Sequence, residues 1–166
     1  MNIAQIRKYD VANGPGIRTT VFVSGCTHNC YNCFNKEYQN FNFGFKYTEE
    51  TYKTIEKYVN ETKMLSVLGG EPFQQKWDLV QFLKDIKENT KANIWVWTGY
   101  TIEEILKCKD EQSYMMTALQ YIDVLVDGKF VQSRKDLSLK FRGSSNQRII
   151  DVKQTLIERE VVLFEI

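Results

Sequence analysis

At 166 residues, 43% of them hydrophobic, the chain has enough apolar material to close one core and too little for two of ordinary size, so a single domain over residues 1–166 is expected. Its 22 Lys and Arg against 21 Asp and Glu leave a net charge of +1, which excludes the broad positive field that draws nucleic acid or an acidic membrane, and neither is expected as a partner. No apolar run approaches the ~20 residues of a membrane helix, and Met1-Asn2-Ile3-Ala4-Gln5-Ile6-Arg7-Lys8 lacks the apolar centre of a secretion signal, so a cytoplasmic location is expected.

Residues Arg18 to Gly25 are rich in β-branched and aromatic side chains and end at glycine, which predicts a strand. It runs straight into Cys26-Thr27-His28-Asn29-Cys30-Tyr31-Asn32-Cys33-Phe34-Asn35. After an aromatic, Asn-rich connection from Asn40 to Phe45, Thr48 is a candidate N-cap for a helix with Tyr52, Ile55, Tyr58 and Val59 at helical spacing. Met64 to Leu68, bounded by Gly69-Gly70, predicts a short buried strand, and Leu79, Val80, Leu83 and Ile86 mark the stripe of a second helix. Ile94 to Thr98 is the next strand, broken at Gly99. Thr101 caps a helix carrying Ile102, Ile105 and Leu106, and Ile122 to Val126 is a strand ended by Asp127-Gly128. Beyond Phe130 the pattern weakens: Leu137 to Phe141 alternates, Arg142 to Arg148 is a polar loop, and Val161 to Phe164 reads as a final strand.

Strands alternating with helices in units of about thirty residues imply an α/β fold with a parallel sheet. A closed eight-unit barrel takes roughly 250 residues, so the chain suits an incomplete barrel or an open doubly wound sheet. The cysteine stretch, Gly69-Gly70-Glu71-Pro72, Thr98-Gly99 and Asp127-Gly128-Lys129 each follow a predicted strand. That places them together on the carboxyl-end face, where such sheets bind ligands.

Three of the four cysteines share the spacing C-x3-C-x2-C. A four-iron cluster takes one cysteine per iron, so three leave one iron open to another ligand. A structural zinc site is closed by four ligands, commonly in two pairs, and this chain has no second pair. His28 could complete such a site, but it lies between Cys26 and Cys30 and is the only histidine, so it is expected to face solvent or a partner. An iron-sulfur cluster is therefore favoured over zinc, and zinc over a metal-free loop, in which exposed unpaired thiols would be a liability. Cys108, at the end of a helical pattern, reads as a small half-buried hydrophobe rather than a fourth ligand.

Cys-x3-Cys-x2-Cys after one strand and Gly-Gly-Glu-Pro after the next resembles the radical S-adenosylmethionine (SAM) enzymes. The resemblance implies an incomplete parallel βα barrel of the radical SAM type. It implies a [4Fe-4S] cluster on Cys26, Cys30 and Cys33, with the amino and carboxylate groups of SAM on the fourth iron. Reductive cleavage of SAM would then give methionine and a 5′-deoxyadenosyl radical. In the Gly69, Gly70, Glu71, Pro72 loop, Glu71 or the backbone would accept from the SAM ammonium. Asp127 and Lys129 match the Asp-x-Lys that helps to bind SAM in the glycyl-radical activating branch, and Thr98 is placed for polar contact with the methionine group or ribose. Many members carry an aromatic just before the last cysteine, near the adenine; Asn32 stands there in this chain, leaving Phe34, Tyr31 or the Asn32 backbone to cover the adenine edge. Asn13 likewise stands where related enzymes often have Asp before Gly-Pro-Gly, which removes a charge.

The segments Asn13 to Arg18, Val96 to Thr101, Ile122 to Phe130 and Arg142 to Arg148 extend the resemblance over nearly the whole chain, toward the family that activates anaerobic ribonucleoside-triphosphate reductases. This closer resemblance implies a protein substrate, the large chain of such a reductase, in which a glycine Cα near the C-terminus loses a hydrogen and becomes a glycyl radical. An electron donor such as flavodoxin is implied as well. Activation of another glycyl-radical enzyme, a small-molecule radical SAM reaction, and a non-catalytic zinc module are the alternatives. Arg142 to Arg148 supplies a dense donor set, suited to contact with the partner or SAM.

Overall fold

A computed structural model describes all 166 residues. Seven strands, β1 (Asn2–Asp10), β2 (Arg18–Ser24), β3 (Phe45–Lys46), β4 (Met64–Gly69), β5 (Asn93–Trp97), β6 (Val124–Asp127) and β7 (Arg148–Asp151), form one sheet in the order β3-β1-β2-β4-β5-β6-β7. Five helices accompany them: α1 (Glu49–Thr62), α2 (Trp77–Thr90), α3 (Ile102–Leu106), α4 (Tyr114–Leu119) and α5 (Val152–Glu158).

The sheet is mixed, which corrects the expectation of parallel strands throughout. β2, β4, β5 and β6 are parallel, whereas β1 runs antiparallel to both β2 and β3, and β7 runs antiparallel to β6. Connection length explains the edges. Parallel neighbours need a crossover of a dozen or more residues, usually a helix. Only residues 11–17 join β1 to β2, and the chain from β6 to β7 contains no α-helix, only a short 3₁₀ turn at Gln132–Arg134.

Side-chain alternation along the strands separates two apolar layers. Val21, Val23, Leu65, Val67, Ile94, Val96 and Leu125 join helix residues such as Ile55, Val59, Leu83, Ile86 and Met115 in a cluster of 26 buried residues. The opposite face carries Trp95, Val124, Val126 and Ile149, with Trp97, Phe141 and Phe164 packed on them. Trp95 and Trp97 thus share a face, with Val96 on the other.

Local signals set the helix ends. Thr48 caps α1 in a reciprocal capping box with Thr51, and Thr101 does the same for α3 with Glu104. α1 and α2 both stop at a left-handed lysine, Lys63 and Lys91. The expected strand over Val161 to Phe164 is reduced to one bridge, between Ile150 and Leu163, and the alternating Leu137 to Phe141 lies in a loop.

At the amino ends of the parallel strands, Arg18 is buried at 1% exposure. Its Nε donates to Ser66 Oγ at 2.7 Å, Nη2 to the carbonyls of Leu65 at 3.0 Å and Asn93 at 3.2 Å, and Nη1 to the Pro15 carbonyl at 3.2 Å. One guanidinium therefore ties the first turns of β2, β4 and β5 together. The carboxyl ends lead into the cysteine loop and the Gly69-Gly70-Glu71 stretch.

Candidate active site

The loops after β2, β4, β5 and β6 surround a cavity of about 540 Å³. Cys26, Cys30, Cys33, Phe34, Gly69, Gly70, Glu71, Thr98 and Lys129 all line it, as expected from their strand-end positions. An opening of about 620 Å³ lined by Met1, Thr27, Phe41 and Gln74 holds none of the cysteines, so size alone does not mark the site.

The first half of the cysteine loop is fastened to the framework. Gly25 N donates to Tyr38 O at 2.7 Å, Cys26 N to Gln39 O at 3.1 Å, Glu71 N to Gly25 O at 2.7 Å and Thr27 N to Gln74 Oε1 at 2.8 Å. This approach demands glycine at position 70, where an added Cβ would lie 2.6 Å from Gly25 O and 2.8 Å from Tyr38 O. The second half turns through two left-handed asparagines, Asn29 (φ 52°) and Asn32 (φ 55°), with Cys33 N donating to Cys30 O at 3.2 Å. Asparagine visits this region more readily than bulky residues, which gives a physical reason for Asn32 at this position. Asn32 is exposed.

Burial pushes the Cys26 thiol up to about 11. Cys30 is raised as well, by burial and then by neighbouring Cys33, against the pull of the Phe130 backbone and the Lys129 charge. Filling such a site with metal displaces protons from these thiols. None of the cysteines is in a disulfide. Three thiols around one cavity match a four-iron cluster, which takes one cysteine per iron. The donor set thus suits a cluster, and Cys108 lies against the main core instead.

Several expected roles change. Glu71 is 1% exposed and already engaged: it accepts from Phe73 N at 2.9 Å, Gly99 N at 2.7 Å, Thr98 Oγ1 at 2.9 Å and His28 Nε2 at 2.7 Å. His28, expected to face solvent or a partner, instead has a side chain only 8% exposed and sits edge-on to Tyr100, with ring centroids 4.7 Å apart. Thr98 Oγ1 is spent on Glu71 while accepting from Tyr100 N at 3.1 Å. Asp127, 1% exposed, accepts from Ile102 N at 2.9 Å and from Arg148 Nε at 3.1 Å and Nη2 at 2.6 Å. Of the Asp-x-Lys pair only exposed Lys129 meets the cavity. Tyr31 is 76% exposed and Pro72 is buried at the start of a 3₁₀ turn, and neither lines the cavity. Phe34 forms part of the wall with Phe130, their ring centroids 4.7 Å apart.

The Arg142 to Arg148 loop is braced both from within and by the segment after β6. Gln147 Oε1 accepts from Gly143 N and Ser144 N, Gln147 Nε2 donates to Gly128 O, and Asn146 Nδ2 donates to Lys129 O. Arg142, which lines the cavity with Gly143 and Gln147, places Nη1 on Gln147 O at 2.9 Å, but its buried Nε has no partner. Sequence reasoning missed the His28–Glu71 bond and this free donor. Partners 43 residues apart leave no mark in local spacing.

A family profile described as a 4Fe-4S single cluster domain matches residues 12–150, a span that contains every cavity-lining residue except Arg7. Over 156 residues the chain is 41% identical to the anaerobic ribonucleoside-triphosphate reductase-activating protein of Vibrio cholerae serotype O1, an alignment covering 90% of this chain and 97% of that protein. The chain belongs to the family of anaerobic ribonucleoside-triphosphate reductase-activating proteins. The family member of Escherichia coli K12 is 41% identical over 154 residues, covering 89% of this chain and 96% of its own length. That of Enterobacteria phage T4 is 32% identical over 154 residues, covering 90% and 93%. No helix of the chain is long and apolar enough to cross a membrane.

Proposed function

We propose that the chain is a radical SAM activase: it cleaves S-adenosylmethionine reductively and removes a hydrogen atom from a glycine of an anaerobic ribonucleoside-triphosphate reductase. The observation that carries this reading is the meeting of Cys26, Cys30 and Cys33 with the Gly69-Gly70-Glu71 loop around one cavity, in a chain of this family. Cys26, Cys30 and Cys33 would hold the [4Fe-4S] cluster. When bound, that cluster supplies the electron that breaks a carbon-sulfur bond of SAM, giving methionine and a 5′-deoxyadenosyl radical.

The chain's own residues bind and orient. With Glu71 committed to Thr98, Gly99 and His28, a ligand's ammonium in this cavity would rely on backbone carbonyls of the Gly69-Gly70 stretch that lines it. Lys129 brings a cation to the same cavity, suited to the SAM carboxylate, and Arg142 Nε offers a donor still in need of an acceptor. Phe34 and Phe130 form a wall suited to the adenine. Glycine is a reasonable target because its Cα radical is delocalised over the flanking amides, so a primary alkyl radical generates it downhill.

In this reading the four parallel strands are an incomplete radical SAM barrel, the 166 residues work as one domain in the cytoplasm, and the reductant is a donor such as flavodoxin. The test is electron paramagnetic resonance of an anoxic mixture of reconstituted chain, SAM, reductant and reductase. A glycyl radical signal that needs all four components is expected. Cluster-loaded chain that yields none, with SAM uncleaved, overturns the proposal.

A further inference from the structure

Glu71 stands at a crossing of three loops. Its carboxylate takes Phe73 N from its own loop, Thr98 Oγ1 and Gly99 N from the loop after β5, and His28 Nε2 from the cysteine loop. Every one of these partners is a donor or, in His28, must act as one, since a carboxylate so surrounded can only accept; Nε2 therefore carries the proton. The contact is also packed. Gly99 lies against the imidazole so closely that an added Cβ would stand 2.6 Å from His28 Cδ2, and Tyr100 closes the other side. His28 sits midway between Cys26 and Cys30, in a loop whose second half has few other ties to the framework.

We infer that Glu71 is a positioning residue for the cysteine loop, acting through its hydrogen bond to His28, and not a ligand for the SAM ammonium. The pair sets where the thiols after Cys26 stand relative to the glycine loop, so its effect is felt by the metal centre before any SAM arrives. This rests on the reading that Cys26, Cys30 and Cys33 hold an iron-sulfur cluster.

Three variants separate hydrogen bond, packing and ligand contact. His28→Gln keeps a donor at the same reach, His28→Phe keeps the ring without the donor, and Glu71→Gln replaces one acceptor oxygen by a second donor. Each full-length variant is reconstituted anoxically; iron and sulfide per chain and the resonance spectrum of the reduced cluster are measured without SAM, and SAM affinity afterwards. His28→Gln is expected to match wild type in iron and spectrum. His28→Phe and Glu71→Gln are expected to lose at least half of the iron or to change the spectrum with SAM absent. A wild-type metal centre in His28→Phe overturns the inference. So does a Glu71→Gln protein with an unaltered cluster and a tenfold weaker SAM affinity, since that is the behaviour of an ammonium ligand. If Glu71→Gln fails to fold, the two His28 variants decide. A wild-type chain that loads its cluster yet never cleaves SAM defeats the proposed function while leaving this comparison of metal centres intact.

Discussion

Arg148→Ala leaves the acid at the end of β6 with a single donor. Asp127 is 1% exposed, and of its three hydrogen bonds two come from Arg148, at 3.1 and 2.6 Å, leaving only Ile102 N at 2.9 Å. Breaking a buried ion pair from one side costs about 3–5 kcal/mol. Arg148 itself is 33% exposed, so water can enter part of the vacated space and reduce that figure. Its second bond, to Glu103 at 2.7 Å, lies nearer solvent and contributes less than about 1 kcal/mol. The expected loss is about 2 kcal/mol, which for a domain of this size lowers Tm by about 4–8 °C. Urea unfolding of the metal-free, reduced chain at pH 7 measures it, for Arg148→Ala, Asp127→Asn and the double variant. Residues in direct contact should show a coupling of about 1 kcal/mol or more. An Arg148→Ala loss below about 0.5 kcal/mol, or strictly additive single losses, would mean that Asp127 does not depend on Arg148 and remains available as a ligand.

Gly70→Ala is expected to force the glycine loop from the cysteine loop, because the new Cβ meets only backbone atoms; iron retained after anoxic desalting should fall several-fold, and retention equal to wild type would contradict the need for so close an approach. Cys30→Ala should abolish cluster formation while changing the urea midpoint of the metal-free chain little, since the residue lines a cavity rather than the core. Cys108→Ala should keep its iron and lose about 1 kcal/mol of stability from the core edge it touches; loss of the cluster in this variant would disprove the three-cysteine count. At Asp10, burial works to raise the carboxyl, but hydrogen bonds from Ala12 N, Asn13 Nδ2 and Thr20 Oγ1 outweigh it and hold it below its usual 3.8. A depressed native value stabilises the fold above the unfolded value and is lost as pH drops through the native one. Asp10→Asn should therefore flatten the decline in urea midpoint between pH 5 and pH 3, and an unchanged acid limb would count against these bonds.

The parallel centre of the fold was legible because its strands are apolar on both faces and end at glycine or a polar turn. β2 at Arg18–Ser24 and β4 at Met64–Gly69 stand within a residue of the expected bounds, and Thr48 and Thr101 both cap as read. The edges were not. β1 mixes Gln5, Arg7 and Lys8 into its alternation and shifts register twice against β2, so its period is blurred. β7 has only two apolar residues, Ile149 and Ile150, between Arg148 and Asp151 and follows a polar loop, so nothing sets it off, and the apolar run near the C-terminus touches it at one bridge only. In the candidate site, the strand-end motifs singled out in the sequence do meet around one cavity. What spacing could not reveal was which polar groups were already taken: Glu71 by His28, Thr98 and Gly99, and Asp127 by Arg148. Such commitments depend on long-range closure, which is written in no local pattern.

The guanidinium of Arg18 has a mechanical consequence. With the amino ends of three central strands riveted to one cation and the opposite ends leading into loops, fluctuations should be graded along the sheet, small at the rivet and larger toward the thiols. Amide deuteration should follow that gradient, slowest around Leu65 and Ile94 and fastest from Asn29 to Cys33. Such a gradient would let the thiol-bearing rim move without loosening the base of the sheet.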